Sequence, residues 1–139
     1  MNNSLKGISM LNKDAIIKEA QAFAELHKGK VILVYGAAEV IHGAKELTNN
    51  LDLYLVTREP FDFTGWEELA GSVSPKIYKQ GIFDLALLPE VYLVDPKLVQ
   101  LTTSVYVYDL PTIIALREEL SLRLNREKDH AALKALKAL

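Results

Sequence analysis

The chain has 139 residues, half of them hydrophobic and 24% charged, a balance that supports one folded domain over residues 1–139 and excludes wholesale disorder. Sixteen basic and eighteen acidic residues leave a net charge of -2, so the totals carry no electrostatic footprint for duplex nucleic acid. The absence of cysteine removes disulfides, thiolate metal sites, iron–sulfur clusters and cysteine nucleophiles together. The opening MNNSLKGISMLNKD lacks a basic start followed by a sustained apolar run, so a cytoplasmic protein with no membrane partner is expected.

From Lys13 to Lys28 the apolar residues Ile16, Ala20, Phe23 and Leu26 recur at helical spacing, and Gly29 is expected to end that amphipathic helix. Val31 to Tyr35 is a continuous apolar run, as in a strand buried on both faces, and Gly36 breaks it. Ala37 to Lys45 is rich in small, helix-compatible residues and predicts a short helix. The stretch Asn50 to Val56 alternates, with Leu51, Leu53 and Leu55 on one face and Asn50, Asp52 and Tyr54 on the other. Arg58 to Gly71 shows no clear period and reads as loop with a short helix; its Phe61, Phe63 and Trp66 are expected to cap the core.

Lys76–Lys79 and Ile82–Leu88 flank Gln80-Gly81 as a hairpin, with Asp84 inside its second strand. Val105 to Tyr108 predicts a final short strand. Pro111 then opens a helix in which Ile113, Leu116, Leu120 and Leu124 form the expected packing stripe. Asp129 is a suitable cap for a last helix. This order predicts an α+β (α/β-like) domain, a mixed β-sheet flanked by helices.

The chemistry-bearing residues fall in one ordered set: Gly36-Ala37 after a strand, His42-Gly43 one helix later, Thr48, and Asn50-Leu51-Asp52 opening the next strand. From Gly36 to Val56 the set resembles the nucleotidyltransferase superfamily, minimal type, as in the lincosamide-modifying and abortive-infection toxin groups, whose pattern runs roughly GG, HG, RxTxDxD. Arg126-Glu127-Lys128-Asp129 is similar to the RxKD that introduces the last helix of many such proteins. Three positions depart from the pattern: Ala37 stands at the second glycine, Glu46 at the arginine, and Asn50 at the first aspartate.

The resemblance implies a magnesium-dependent transfer of a nucleoside monophosphate from a nucleoside triphosphate to a hydroxyl acceptor of unknown identity. It implies Asp52 and Asp84 as catalytic residues, Asn50, Asp52 and Asp84 as metal ligands, and Gly36, Ala37, Lys45 and Thr48 at the nucleotide. Carboxylates at i and i+2 of a strand share a face and converge on a metal cluster, and two ions there stabilise the entering and leaving oxygens of an in-line transfer. Small residues after the first strand let backbone amides approach a phosphate at a helix start.

An asparagine still offers an oxygen to magnesium but removes a charge and a base, and Glu46 repels a triphosphate where a cation would attract it. These departures favour the alternative, a catalytically degenerate nucleotide-binding or protein-interaction module. A domain this short is expected to draw acceptor contacts from loops, a second copy in a homodimer, or a partner protein. His42 is expected to pack or hydrogen-bond rather than catalyse, and His27 and His130 to lie at the surface. Arg123, Arg126 and Lys128 are peripheral phosphate-contact candidates.

Overall fold

The computed structural model describes residues 10–69 and 75–139. Helix α1 (Lys13–Leu26) starts where the Asn12 side chain accepts the Ala15 N–H at 2.9 Å, satisfying one of the free donors of its first turn. It stops earlier than Gly29. Lys28 takes φ 52°, and Gly29 opens strand β1 (Gly29–Leu33) instead of closing the helix. The reason is steric: a Cβ at Gly29 would lie 2.6 Å from the Val56 carbonyl oxygen, and only glycine lets the two strands approach so closely.

Helix α2 spans Tyr35–Ile41, shorter than the expected Ala37–Lys45 and beginning inside the expected strand. Strand β2 (Leu51–Thr57) follows. The segment after it is loop up to strand β3 (Glu67–Glu68), where a short helix was expected; the end of that expectation, at Gly71, lies outside the described residues. Strands β4 (Tyr78–Gln80) and β5 (Phe83–Leu88) pair antiparallel across Gly81 as the expected hairpin.

A short 3-10 helix (Glu90–Val94) and strand β6 (Leu98–Gln100) occupy the stretch with no visible period, and β7 (Val105–Tyr108) is the predicted last strand. Helices α3 (Leu110–Leu124) and α4 (Glu127–Lys137) complete the chain.

Among the described residues the strands form one seven-stranded mixed sheet in the order β3-β4-β5-β2-β1-β7-β6, which is the expected α+β architecture with helices on a mixed sheet. β1 pairs antiparallel with β2 and parallel with β7, and β2 pairs parallel with β5. Phe23 of α1 stacks on Phe83 of β5 with ring centroids 4.6 Å apart, and Phe83 is in register with Leu51. Helix α1 therefore covers the sheet face that carries Leu51, Leu53 and Leu55, all buried. One residue along, Asp52 and Asp84 point to the opposite face.

Phe61, Phe63 and Trp66 pack against the core beside α1, as expected of a cap. His27 departs from its expected surface position. Its ring is packed between Phe23 and Phe61, at 4.4 and 4.9 Å, and desolvation lowers its pKa.

Helices α3 and α4 form a hairpin around Asn125, whose φ of 49° is the left-handed conformation that asparagine tolerates at a helix end. The fully buried residues of α3 are Ile113, Arg117 and Ser121; of the expected stripe Ile113 is core and Leu116 packs against it, whereas Leu120 is only partly buried and Leu124 is exposed. Asp129 is not the cap of α4; Arg126 is, and Asp129 lies buried in the first turn. Both corrections have one physical cause. Arg117 reaches Glu39 of α2 at 2.7 and 2.8 Å and Asp129 of α4 at 2.6 Å, so this ion network, rather than the apolar stripe, sets the rotation of α3. Among the described residues, no helix is long and apolar enough to cross a membrane.

Candidate functional site

The alternation of β2 puts Asp52 on the face away from α1, and the parallel register sets Asp84 of β5 directly beside it. Parallel neighbours stand about 4.8 Å apart, so two carboxylates separated by 32 positions in the chain become adjacent. Asn50, just before β2, donates its amide to both: Nδ2 lies 2.5 Å from Asp84 Oδ2 and 3.2 Å from Asp52 Oδ1. Thr48 Oγ1 donates to Asn50 Oδ1 at 3.4 Å, which fixes the direction of the amide. Lys79 Nζ, on β4, is 3.3 Å from the free side of Asp84.

Desolvation, then the Asp84 charge, then the hydrogen bond between the two carboxyls push the Asp52 pKa up to about 7, against the pull of the Gly36 N–H and of Arg117. An acid of that kind is half-ionised at neutral pH, which makes the pair a natural seat for added positive charge.

Gly36 sits above this pair. Its N–H donates to Asp52 Oδ2 at 3.3 Å and so anchors that carboxylate. A Cβ here would come within 2.9 Å of Thr48 Oγ1 and 3.4 Å of Asp52 Oδ2. Gly36→Ala is therefore expected to displace Thr48 and cost about 1–3 kcal/mol in a urea titration; an unchanged midpoint would show that the turn has room to spare.

The residue before it, Tyr35, holds φ 47° without being glycine, a strained conformation that persists only where surrounding contacts impose it. The Arg117 guanidinium lies 5.4 Å from the centre of the Tyr35 ring and supplies such a contact. Burial, first among several influences, raises the Tyr35 pKa.

Around these groups runs a cleft of about 810 Å³, a volume that accepts a nucleotide-sized ligand. Gly36, Lys45, Thr48, Asn50, Asp52 and Asp84 all line it. The expected site residues are thus brought together, with one exception. Ala37 is buried in the core and does not line the cleft. Glu46 is exposed and also stands outside the lining, so it does not oppose an anion there.

Lys45 Nζ approaches Glu39 Oε1 at 3.6 Å, a buried carboxylate oxygen that makes no hydrogen bond among the described residues. Arg123, Arg126 and Lys128 line the far side. Of these, Arg126 is bonded to Asp129 at 2.7 and 3.0 Å. His42 lies away from the cleft and makes the expected structural contact, its Nε2 2.7 Å from the Tyr108 carbonyl oxygen. His130 is exposed as expected and joins Ser121 and Asn125.

Sequence reasoning missed Lys79, Glu39 and Arg117. Glu39 and Arg117 are charges on otherwise apolar helix faces, a signal open to reading, whereas Lys79 acquires its place only through the hairpin.

The donor set fits one divalent cation. Magnesium is commonly held by one or two carboxylates with the remaining positions filled by water and phosphate oxygens, and Asp52 and Asp84 meet that need. It does not fit two cations, because Asn50 brings no charge and, among the described residues, no group of three His, Cys, Asp or Glu is arranged around a metal. Comparisons with family models, with curated proteins and with solved structures give no match.

Proposed function

We propose that the cleft is a nucleotidyltransferase-like site that binds a nucleoside triphosphate together with one magnesium ion. The observation that carries this reading is the side-by-side placement of Asp52 and Asp84 on the cleft floor, with Asp52 pushed up to about 7 by burial and by its neighbour's charge. The ion, when bound, would neutralise the pair and tie it to phosphate oxygens.

Lys45 lies over the Gly36 turn, 3.6 Å from the position a Cβ would take there, and meets the phosphates from the other side. Thr48 and Asn50 hold the direction of the carboxyls through their hydrogen bonds. In transfer, the oxygen of an acceptor hydroxyl attacks the α-phosphorus and the bond to the pyrophosphate breaks. The hydroxyl proton passes to the carboxyl pair. The acceptor, and a second copy or partner protein that helps to bind it, belong to this proposal.

A second reading, binding without transfer, is favoured by Asn50. Its amide donates to both carboxylates and so occupies lone pairs that a second ion would need. Calorimetric titration with each nucleoside triphosphate, with and without magnesium, decides the common part. Magnesium-dependent binding is expected in the wild type and, with two charged ligands reduced to one, a loss of at least about tenfold in Asp52→Ala. No binding to the folded wild type would overturn both forms of the nucleotide reading and move the search to protein partners. Pyrophosphate release then separates the two: turnover in the wild type supports transfer, whereas turnover that appears only in Asn50→Asp identifies the degenerate form.

A further inference from the structure

We propose that the leucine stripe of α3 is a nucleobase platform, an inference that rests on the nucleotide reading of the cleft. Leu116, Leu120 and Leu124 recur at i, i+4 and i+8, the spacing of a packing face. The positions α3 buries are Ile113, Arg117 and Ser121, at the same spacing but displaced along the helix. All three leucines line the cleft, Leu116 while also packing against the core, and Leu124 leaves 46% of its surface exposed.

A helix that buries an arginine and a serine while turning leucines toward an open cleft has the inverse of the usual arrangement. The ion network explains why Arg117 is inside. It does not require three leucines beside it, because the neighbouring face of a helix hairpin at a water-filled cleft accepts polar residues without cost.

The cleft is therefore amphiphilic. Its floor carries Asp52 and Asp84 with Lys45 over the Gly36 turn, and its α3 wall presents Leu116, Leu120 and Leu124 beside the charged Arg117, Glu119 and Arg123, continued by Ala132 of α4. A ligand that fits both is an anion joined to a flat apolar group. A nucleoside triphosphate has this form: the phosphates meet the carboxyl pair through the cation, and one face of the base lies on the leucines with the Arg123 guanidinium near its edge.

The leucine side chains make no hydrogen bonds, so contact area sets what the platform itself contributes. Purines, with the larger face, bind more tightly than pyrimidines.

Calorimetry in magnesium tests this with ATP, GTP, CTP, UTP and inorganic tripolyphosphate as probes, on the wild type, Leu120→Ala and Leu124→Ala. The expected result is ATP and GTP both tighter than CTP and UTP, and ATP weakened roughly fivefold by either truncation while tripolyphosphate is unchanged. Leu124 is already half exposed, so its variant keeps the fold even where Leu120→Ala loses some stability; thermal melting checks each.

Wild-type protein that binds tripolyphosphate as tightly as ATP, or truncations that leave ATP affinity intact, would overturn the platform and leave the nucleotide reading standing. Failure of the wild type to bind any of the five probes would overturn the nucleotide reading itself. Concentration-dependent dimers in sedimentation that dissociate in Leu124→Ala would assign the stripe to a second copy and also overturn the platform.

Discussion

Replacing Arg117 by methionine is expected to be the most damaging single change in this chain. Its guanidinium, 8% exposed, lies between Glu39 and Asp129, whose side chains are 1% and 0% exposed. Methionine fills similar space but leaves two carboxylates in a low-dielectric interior with their main counter-charge gone. Breaking a buried pair in this way costs about 3–5 kcal/mol, a large part of the roughly 5–15 kcal/mol that holds a domain together.

The neighbouring Arg126 provides the contrast. It bonds the same Asp129 but is 41% exposed, so water screens its charge, and Arg126→Met should cost only about 1 kcal/mol because Arg117 still pairs with Asp129. Urea unfolding of the two variants checks the ranking. Equal losses, or an Arg117→Met variant within about 1 kcal/mol of wild type, would show that the network adds little beyond packing.

The same network predicts the acid limb. Burial alone would raise the Asp129 pKa, but hydrogen bonds and charges from Arg126 and Arg117 outweigh it and hold the group below its ordinary value. A carboxylate depressed in the native state stabilises the fold above its unfolded pKa, and that contribution is lost as pH falls through the depressed value.

Asp52 should show the opposite sign. Its native pKa of about 7 lies above the ordinary 3.8, so the folded state binds a proton that the unfolded state releases. This contribution to stability is complete below pH 4 and is lost as pH rises through about 7. In chelator-containing buffer, Asp52→Asn is therefore expected to gain up to about 4 kcal/mol over wild type at pH 8 and to match it near pH 4.

Magnesium should restore part of that stability to the wild type at pH 8, because an ion that binds only the native state raises its melting temperature. The same ion should do less for Asp52→Asn, which offers it one carboxylate fewer. Melting curves at several pH values with and without magnesium measure both effects. A wild-type stability that is flat between pH 5 and 8, or an Asp52→Asn gain equal at pH 4 and pH 8, would falsify the account of the carboxyl pair.

Magnesium stabilisation that is the same in both proteins would place the ion elsewhere.

Much of the architecture was legible in the chain because it is written in local periods. The two-residue alternation of Leu51, Leu53 and Leu55 named the strand and its buried face, and the hairpin around Gln80-Gly81 followed from two apolar runs with a glycine between them. The short β6 was not legible, since three residues are too few to show a period and Val99 on this edge strand is 45% exposed.

The candidate site was legible as a set of residue types but not as a surface. Gly36, Lys45, Thr48, Asn50, Asp52 and Asp84 do line one cleft, while Ala37, adjacent to Gly36 in sequence, turns into the core because successive residues of a helix point some 100° apart. Lys79 joins Asp84 because the hairpin places the two opposite each other in register.

The sequence by itself determined the longer helices and the β1, β2, β5 and β7 strands, the mixed α+β class, and the polarity of the β2 face, because each depends on spacings of two to four residues. Tertiary structure alone decided two things. The parallel pairing of β2 with β5 sets Asp52 against Asp84, a contact that no local pattern encodes. The rotation of α3 buries Arg117 and turns the leucines to the cleft, because the carboxylates that satisfy Arg117 come from positions 78 residues before it and 12 after it. A local apolar stripe states which face could be buried; the partners available in three dimensions decide which face is.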